Sequence, residues 1–413
     1  MPEPSTPDQA TLPPWPTAAT AAIVAGARVA RLCAPVPEPA SLDAAICVPA
    51  RNEAERIEPC IAALAGQAAR IRRRVGLVVG INNSADRSLD IACRTAARFG
   101  VPFLGLQAFL PAAAATAPGA RRWVMDLGAR LVARHGALLT TDADSVVQPG
   151  WLSANLEELA RGSDAVCGLL RGTPDAADLP QLRAAGRRLE LRYRRALLEV
   201  EALLDPDPLN PWPHHGQAAG PSLAISLAAY RRVGGLPTPA FGEDKALIAR
   251  LRACGGRIRY SSRPEVVTSC RLDGRAQHGF ADFLLHRGND PDSHCDEGLE
   301  DLATRCLRAG SRGRLRRARD RAAVIRVAEA LAVQGPCRRT ALEMALDGSI
   351  GAAWAVLEAG SPLLAPRRIR PSEIAAQLSD ANRLLGRLRG AGGNGLTGGS
   401  ADPADTPCDV RAV

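Results

Sequence analysis

The chain has 413 residues, of which 46% are hydrophobic and 3% aromatic, and its formal net charge is +9 at pH 7. This length exceeds the roughly 100–200 residues of one domain. Lys245 is the only lysine among 52 basic residues, so 51 are arginines. Because alanine is also abundant, we attribute the charge to a genome-wide bias and exclude nucleic acid as a partner. A basic surface still suits an anionic sugar nucleotide or an acidic membrane surface.

The cysteines and the apolar segments indicate a cytoplasmic protein. Eleven cysteines occur without any Cys-x-x-Cys pair, which is typical of reduced core thiols. The apolar segment Ala18–Ala34 is interrupted by Arg28 and Arg31. It is too short and too charged for a membrane span of roughly 20 residues, and it lacks the order of a signal peptide. Peripheral contact with the inner face of the membrane stays open.

The first part of the chain predicts an arm followed by alternating strands and helices. Residues 1–40 are rich in Pro and Ala, and we expect a loose arm with one helix at Thr17–Leu32. Alternation from Ala45 onwards predicts an α/β domain at residues 41–290, with a mostly parallel sheet and helices on both faces. The predicted strands are Ala45–Val48, Gly76–Ile81, Pro102–Leu106, Ala137–Thr141 and Asp164–Leu170; the helices are Ala54–Ala65, Ser88–Phe99, Arg122–Arg134 and Leu152–Arg161.

A long helix at Leu179–Leu204 follows, and we interpret its arginines as a solvated face rather than a contact with acceptor or membrane. The Pro-rich link Asp205–Gly216 contains His214 and His215, which we assign to a surface loop, with acceptor contact as the alternative. The elements predicted next are the strand Ser222–Ser226, the helix Glu243–Cys254 and the strands Arg257–Tyr260 and Val266–Thr268.

Residues 291–389 predict a helical C-terminal region. Its helices are expected within Glu297–Ala332, Arg338–Glu358 and Pro371–Arg389. The first is rich in arginine, which is equally consistent with an interaction surface and with a solvated helix. The Gly-rich residues 390–413 predict a disordered tail.

Three predicted strands end in polar clusters. These are Pro49–Glu53 (PARNE), Asn82–Asp86 (NNSAD) and the pair Asp142 and Asp144. Ligands of open α/β sheets bind beyond the carboxyl ends of the strands. Two carboxylates one residue apart repel each other unless a cation or a proton lies between them, and Mg²⁺ prefers oxygen ligands, often including phosphates. The pair therefore indicates a metal–diphosphate site, although Asp is also common in turns.

From Ala45 to Leu285 the chain resembles the family 2 glycosyltransferases, which have the Rossmann-like GT-A fold. Val48–Glu53 resembles their opening strand and turn, and Asn83–Ser88 is similar to their second strand end. Asp142-Ala143-Asp144 matches their metal motif. Gly220, Pro221 and Ser222 resemble the glycine loop near the acceptor, Gly242-Glu243-Asp244 resembles the motif of the catalytic base, and His278 resembles a late metal-ligating histidine.

The resemblance implies a divalent metal, Mn²⁺ or Mg²⁺, held by Asp142, Asp144 and His278, although His278 alone is equally consistent with a surface turn. Asp244 would be the general base. Alternatively, Asp244 is an acid that only stabilises a helix N-terminus. Glu243 would be a neighbouring residue of the catalytic and acceptor sites. Gly220, Pro221 and Ser222 would contact the acceptor. The expected donor-binding residues are Pro49, Arg51, Glu53, Asn82, Asn83, Asp86, Asp142, Arg271 and Arg275.

Two of these donor assignments have a specific basis. Arg271 or Arg275 would pair with phosphate oxygens. Asn82 and Asn83 occupy the place where the family usually has an acidic residue in contact with the nucleobase of the donor. Asp86 could substitute for that residue, but a capping role in a turn explains it equally well.

The implied reaction transfers one sugar, with inversion, from a UDP-, GDP- or dTDP-sugar to an acceptor that the sequence does not identify. The Gln-x-x-Arg-Trp motif of processive synthases is absent, which favours a non-processive enzyme. A sugar nucleotidyltransferase is less favoured, because the first turn, Pro49–Glu53, has no glycine. The third possibility is a catalytically inactive GT-A module that acts as a binding scaffold.

Overall fold

The computed structural model describes residues 27–33, 37–173, 185–274, 280–296 and 298–392. These residues contain a nine-stranded sheet in the order β1-β4-β3-β2-β5-β8-β7-β9-β6. Its strands are β1 (Arg28–Cys33), β2 (Leu42–Ala50), β3 (Val75–Asn82), β4 (Phe103–Phe109), β5 (Val132–Thr140), β6 (Ser145–Val147), β7 (Ala165–Gly172), β8 (Leu223–Ser226) and β9 (Ile258–Thr268).

The sheet is mostly parallel, as predicted. Strands β4, β3, β2 and β5 pair in parallel, and so do β7 and β9. Because β8 is antiparallel to both β5 and β7, these six strands share one direction. Strands β1 and β6 are antiparallel to their neighbours β4 and β9.

Helices cover both faces of the sheet because its central strands are apolar on both sides. In β2, Ala45 and Cys47 pack into one core, whereas Ile46 and Val48 pack into the other, which is the two-residue alternation of a strand. The helices of this part of the chain are α1 (Ile57–Ala68), α2 (Ser88–Ala97), α3 (Ala117–Leu131), α4 (Trp151–Ala160), α5 (Ala185–Leu204), α6 (Leu227–Arg232), α7 (Glu243–Ala253) and α8 (Phe280–Asn289).

A helical region follows the sheet, so the predicted fold class is confirmed. It contains α9 (Leu302–Arg317), α10 (Arg321–Ala330), α11 (Gly335–Leu346), α12 (Ile350–Gly360) and α13 (Ile374–Gly392). Helix α13 packs on α5 through an apolar cluster that includes Tyr193, Leu197 and Leu378. Within the part of the chain that the structure describes, we find no helix both long and apolar enough to span a membrane.

Several predicted elements need correction. The two strands expected at Arg257–Tyr260 and Val266–Thr268 form one continuous strand, β9. The helix expected at Thr17–Leu32 is wrong at its end, because Arg28–Cys33 pairs with β4 as a strand; residues 17–26 lie outside the described ranges. Helix α3 begins at Ala117 instead of Arg122, and β5 begins directly after it at Val132. Helix α13 continues to Gly392, past the predicted start of a disordered tail; residues 393–413 are outside the described ranges.

Some arginines of the first C-terminal helix are held in ion pairs within the protein. For these arginines neither predicted alternative, a solvated face or an interaction surface, is correct. Arg305 and Arg312 of α9 each form an ion pair with Glu201 of α5, at 2.8 and 2.5 Å. Arg308 pairs with Glu300 at 3.2 Å. The two ion pairs with Glu201 fasten the helical region to α5. In α5, by contrast, Arg188 and Arg192 are exposed, as predicted for a solvated face.

Candidate active site

Hydrogen bonds join the loops that follow β2 and β3 into one unit. The Ser84 hydroxyl accepts from the backbone N–H of Asn52, and the Ser88 hydroxyl accepts from that of Glu53, both at 2.9 Å. The Asp86 carboxylate accepts from Ala54 N at 2.9 Å and from the Ser88 hydroxyl at 2.7 Å. Burial opposes the charge of Asp86, but these hydrogen bonds hold its pKa below the usual value. Asp86 Oδ1 also accepts from Ser88 N at 3.1 Å, as in the turn role weighed for Asp86, whereas donor binding by Asp86 stays a prediction.

Asn83 closes the same loop. It has a left-handed φ of 47°, which Asn tolerates better than most residues. Its side-chain amide donates to Leu110 O and accepts from Leu110 N, both at 3.1 Å. A base contact by Asn83 would have to share these atoms. Asn82 is buried, Pro49 is half-buried and Arg51 is exposed beside the loop; donor binding by these residues stays a prediction.

Arg121 of α3 connects the end of β5 to the start of α7. Its Nη2 donates to Asp142 Oδ1 at 2.6 Å, and its Nε donates to Glu243 Oε1 at 2.9 Å. Its Nη1 donates to Thr140 Oγ1 at 3.1 Å and to Gly220 O at 3.4 Å. Only 6% of the Arg121 side chain is exposed. Burial disfavours its charge, but Asp142 and Glu243 outweigh that effect and raise the pKa of Arg121.

Our sequence analysis missed Arg121 because it began the helix at Arg122, five residues after the true start at Ala117. The signal was present at Thr116, whose hydroxyl caps α3 by accepting from Gly119 N at 3.1 Å, with a proline in the first turn. Thr at the N-cap followed by Pro is a strong helix-start pattern. It would have placed Arg121 on the same helix face as the buried Val124.

Arg271 forms a second cationic centre. Its guanidinium donates to Glu53 through Nη1–Oε2 at 2.9 Å and Nη2–Oε1 at 2.5 Å, and Nη2 lies 3.3 Å from Asp144 Oδ2. Glu53 and Arg271, both predicted to bind the donor, are therefore held together beside Asp144. Burial lowers the pKa of Arg271, but these carboxylates raise it by more, so the pKa lies above its usual value.

The charge of the site is negative. Among the described residues, five carboxylates (Glu53, Asp142, Asp144, Glu243 and Asp244) surround two guanidinium groups. Burial, and then the neighbouring Asp142, raise the pKa of Asp144 to about 6. A bound divalent cation would relieve this repulsion, and carboxylate oxygens are suitable ligands for Mg²⁺ or Mn²⁺.

The metal set is incomplete in the described ranges. These hold no group of three or more His, Cys, Asp or Glu side chains arranged around a metal position. The predicted third ligand, His278, and the predicted phosphate contact, Arg275, both lie outside them. Asp142 and Asp144, with side chains 32% and 15% exposed, therefore supply the oxygen ligands that can be described.

Asp244 lies in the first turn of α7, as the sequence predicted. Its Oδ2 accepts from Gly220 N at 2.8 Å, and its Oδ1 accepts from Lys245 N at 2.7 Å. Burial and the adjacent Glu243 raise the pKa of Asp244, although these hydrogen bonds and Arg121 oppose the rise. The geometry is thus compatible with the alternative that Asp244 only stabilises a helix N-terminus. That alternative does not explain the hydrogen bond to Gly220.

The predicted acceptor loop, Gly220–Ser222, forms a short 3₁₀ turn before β8. Gly220 lies so close to Arg121 that a Cβ at this position would be 2.7 Å from the guanidinium carbon. Ser222 is buried, and its hydroxyl accepts from Trp151 Nε1 at 3.0 Å. Its side chain therefore belongs to the core, and acceptor binding stays a prediction for Gly220 and Pro221.

His214 and His215 are packed in the protein instead of lying in an open surface loop. The His214 ring stacks on Tyr260 with centroids 5.7 Å apart. His215 Nδ1 accepts from Gln217 N at 3.1 Å, and its Nε2 lies 3.3 Å from Ser261 O. Burial lowers the pKa of His215 to about 4.

Comparison with known proteins gives similarities of structure alone. No family model matches the sequence, and no curated protein matches it significantly. A Pyrobaculum calidifontis mannosyltransferase, solved with GDP-Man and Mn²⁺, has 15% identity and a TM-score of 0.40, over 79% of this chain and 88% of that chain. Residues 1–349 of S. aureus TarS have 13% identity and a TM-score of 0.39, over 77% and 91%.

A third similar structure is the M. tuberculosis glucosyl-3-phosphoglycerate synthase with Mn²⁺, UDP and phosphoglyceric acid. It has 17% identity and a TM-score of 0.39, over 62% of this chain and 81% of that chain. Because all these identities and TM-scores are low, the function proposed below is argued from the geometry of the site.

Proposed function

We propose that the protein is a metal-dependent glycosyltransferase of the GT-A fold and family 2. It would transfer one sugar from a nucleotide-sugar donor to an acceptor hydroxyl, with inversion and without processive elongation. The observation that carries this proposal is the Arg121 bridge. One buried guanidinium contacts Asp142 at the end of β5 and Glu243 at the start of α7, so the acids predicted for the donor and for the acceptor belong to one site.

Asp142 and Asp144 would hold the divalent metal, with His278 as the third ligand. When bound, Mn²⁺ or Mg²⁺ supplies Lewis-acid stabilisation of the negative charge on the departing diphosphate. Fit to such a cation is supported by the excess of carboxylates over guanidinium groups and by the raised pKa of Asp144. Arg271, held by Glu53, adds a fixed positive charge next to Asp144.

Asp244 would act as the general base. Two backbone N–H groups fix its carboxylate, and its raised pKa brings its basicity closer to neutral pH, where a general base works best. The acceptor oxygen would form a bond to the anomeric carbon while the bond from that carbon to the diphosphate oxygen breaks. The acceptor proton passes to Asp244, and the bonding electron pair leaves with the nucleoside diphosphate. Attack opposite the leaving group inverts the anomeric centre.

The first experiment is a thermal-shift and calorimetric screen of UDP, GDP, dTDP and their sugars, with Mn²⁺ or with a chelator. A ligand that binds only the folded protein raises its melting temperature. We expect one nucleotide class to stabilise the protein only with metal. A scaffold would bind none of them, and a nucleotidyltransferase would release pyrophosphate from a nucleoside triphosphate and a sugar phosphate.

A pair of variants then tests the assigned residues. We expect Asp244→Asn to keep metal-dependent nucleotide binding while kcat falls by about 10²–10⁴-fold, the usual contribution of a general base. The exposed Asp347→Asn in the turn after α11 is the matched control and should behave as wild type. Near-normal turnover in Asp244→Asn would refute the assigned base.

A further inference from the structure

Among the residues that the structure describes, Arg121 is in contact with both halves of the proposed site. Asp142 belongs to the half predicted to hold metal and diphosphate, and Glu243 is adjacent to the proposed base. The two residues are far apart in sequence, Asp142 just after β5 and Glu243 at the start of α7, yet both bind the same guanidinium, at 2.6 and 2.9 Å. The other two contacts of Arg121 are with Thr140, the last residue of β5, and with the carbonyl of Gly220 in the turn before β8.

The position of Arg121 is fixed from several sides. Its side chain is 6% exposed, and its helix is anchored in the core by Trp123 and Val124. All three guanidinium nitrogens donate hydrogen bonds to protein atoms. Because an arginine fork has a rigid planar geometry, contacts to two carboxylates at once also fix the distance between those carboxylates.

We propose that Arg121 is a positioning residue that couples the metal–diphosphate half of the site to the half that activates the acceptor. This inference rests on the proposed function and adds to it a specific path between the halves. Arg121 shares its charge between Asp142 and Glu243. Any change that weakens its bond to Glu243 strengthens its pairing with Asp142, which then competes with a divalent cation for that carboxylate.

The coupling is tested by a double-mutant cycle of nucleotide affinity. The four proteins are the wild type, Glu243→Gln, Arg121→Met and the double variant. For each we would measure by calorimetry the Kd of the nucleoside diphosphate found in the screen, with Mn²⁺. Glu243→Gln should weaken binding about fivefold when Arg121 is present and less than twofold when it is replaced, a non-additivity typical of residues in one network.

Kinetics of Arg121→Lys give an independent readout, which matters because Arg121→Met takes the partner from the buried Glu243 and the half-buried Asp142 and can fail to fold. Lysine keeps the charge but offers a compact ammonium that cannot bond both carboxylates in the geometry of the fork. We expect kcat to fall about 100-fold, the scale of a displacement of about 1 Å in a site, while the donor KM changes less than threefold. A merely structural role would instead lower the amount of folded enzyme and leave kcat per folded molecule unchanged.

Arg122→Lys is the matched control. Arg122 is the next residue of the same helix, but it binds Asp126 at 2.5 Å and Leu236 O at 2.7 Å, away from the site. Its variant should show wild-type Kd and kcat, with circular dichroism confirming the fold of each protein.

The outcomes separate this inference from the proposed function. If the wild type binds no nucleotide with metal, the proposed function fails and the coupling fails with it. If the wild type binds nucleotide, but Glu243→Gln has the same fold-effect with and without Arg121, only the coupling is refuted. An Arg121→Lys enzyme with wild-type kcat would refute it as well.

Discussion

Replacing Gly220 with alanine tests how tightly the centre of the site is packed. A Cβ at Gly220 would lie 2.7 Å from Cζ and Nη2 of Arg121 and 3.1 Å from its Nε. Ordinary contact begins near 3.4 Å, so the guanidinium would have to retreat by about 0.7 Å. Hydrogen bonds of 2.6 Å to Asp142 and 2.9 Å to Glu243 would then exceed the usual N–H···O range.

We expect Gly220→Ala to lower the free energy of unfolding by about 1–3 kcal/mol, as overpacking of a tight core does, and to lower kcat as Arg121→Lys does. Urea unfolding measures the first effect and initial rates measure the second. The control is Gly386→Ala in α13, where a Cβ meets no atom within 4 Å and should stabilise the helix by up to about 1 kcal/mol. An unchanged unfolding midpoint with unchanged kcat in Gly220→Ala would show that Arg121 is not held in place.

Three further predictions concern the metal, the C-terminal region and pH. Asp144→Ala should abolish Mn²⁺-dependent nucleotide binding in calorimetry; retained binding would contradict its role as a ligand. Arg312→Ala removes an ion pair to Asp205, whose side chain is 1% exposed. Because Arg316 stays 3.5 Å from Asp205, the loss should cost about 1.5–3 kcal/mol in urea unfolding, whereas the exposed Arg383→Ala should cost less than about 0.5 kcal/mol; equal costs would be inconsistent with this difference. Because burial lowers the pKa of His215 from 6.5 to about 4, its stabilising effect is present above pH 6.5 and is lost as the pH falls towards 4; His215→Gln should lose less stability over that window, and parallel curves would exclude this cause.

Much of the sheet and part of the site were predictable because they depend on local patterns. Apolar runs such as Ala137–Thr141 gave the core of a strand, and the polar residues after it marked the strand end. Strand β1 was not predictable in this way. Its sequence, RVARLC, places two arginines, Arg28 and Arg31, in an edge strand, and Arg31 finds its partner Asp90 on α2, 59 residues away.

Asp244 and Asp142 were likewise identified by the motifs around them, whereas Arg121 was not. Its role depends on Glu243, a partner 122 residues away in sequence, and Arg271 depends on Glu53, 218 residues away. Neither pairing leaves a local pattern. In a chain with 51 arginines, an arginine that organises a site and one that only solvates a helix have the same local sequence signature.

The distinction between such arginines follows from where the acids are. Burying a guanidinium is costly unless carboxylates and carbonyls satisfy it, so the acids select which arginines become internal. Glu201 and Glu300 select Arg305 and Arg308 in the helical region, while Asp142 and Glu243 select Arg121 in the site. The acids of the first group lie outside the proposed site, so apolar packing can replace those ion pairs without changing that site. Arg121 cannot, because its two acids are the ones that the proposed reaction needs at a fixed separation.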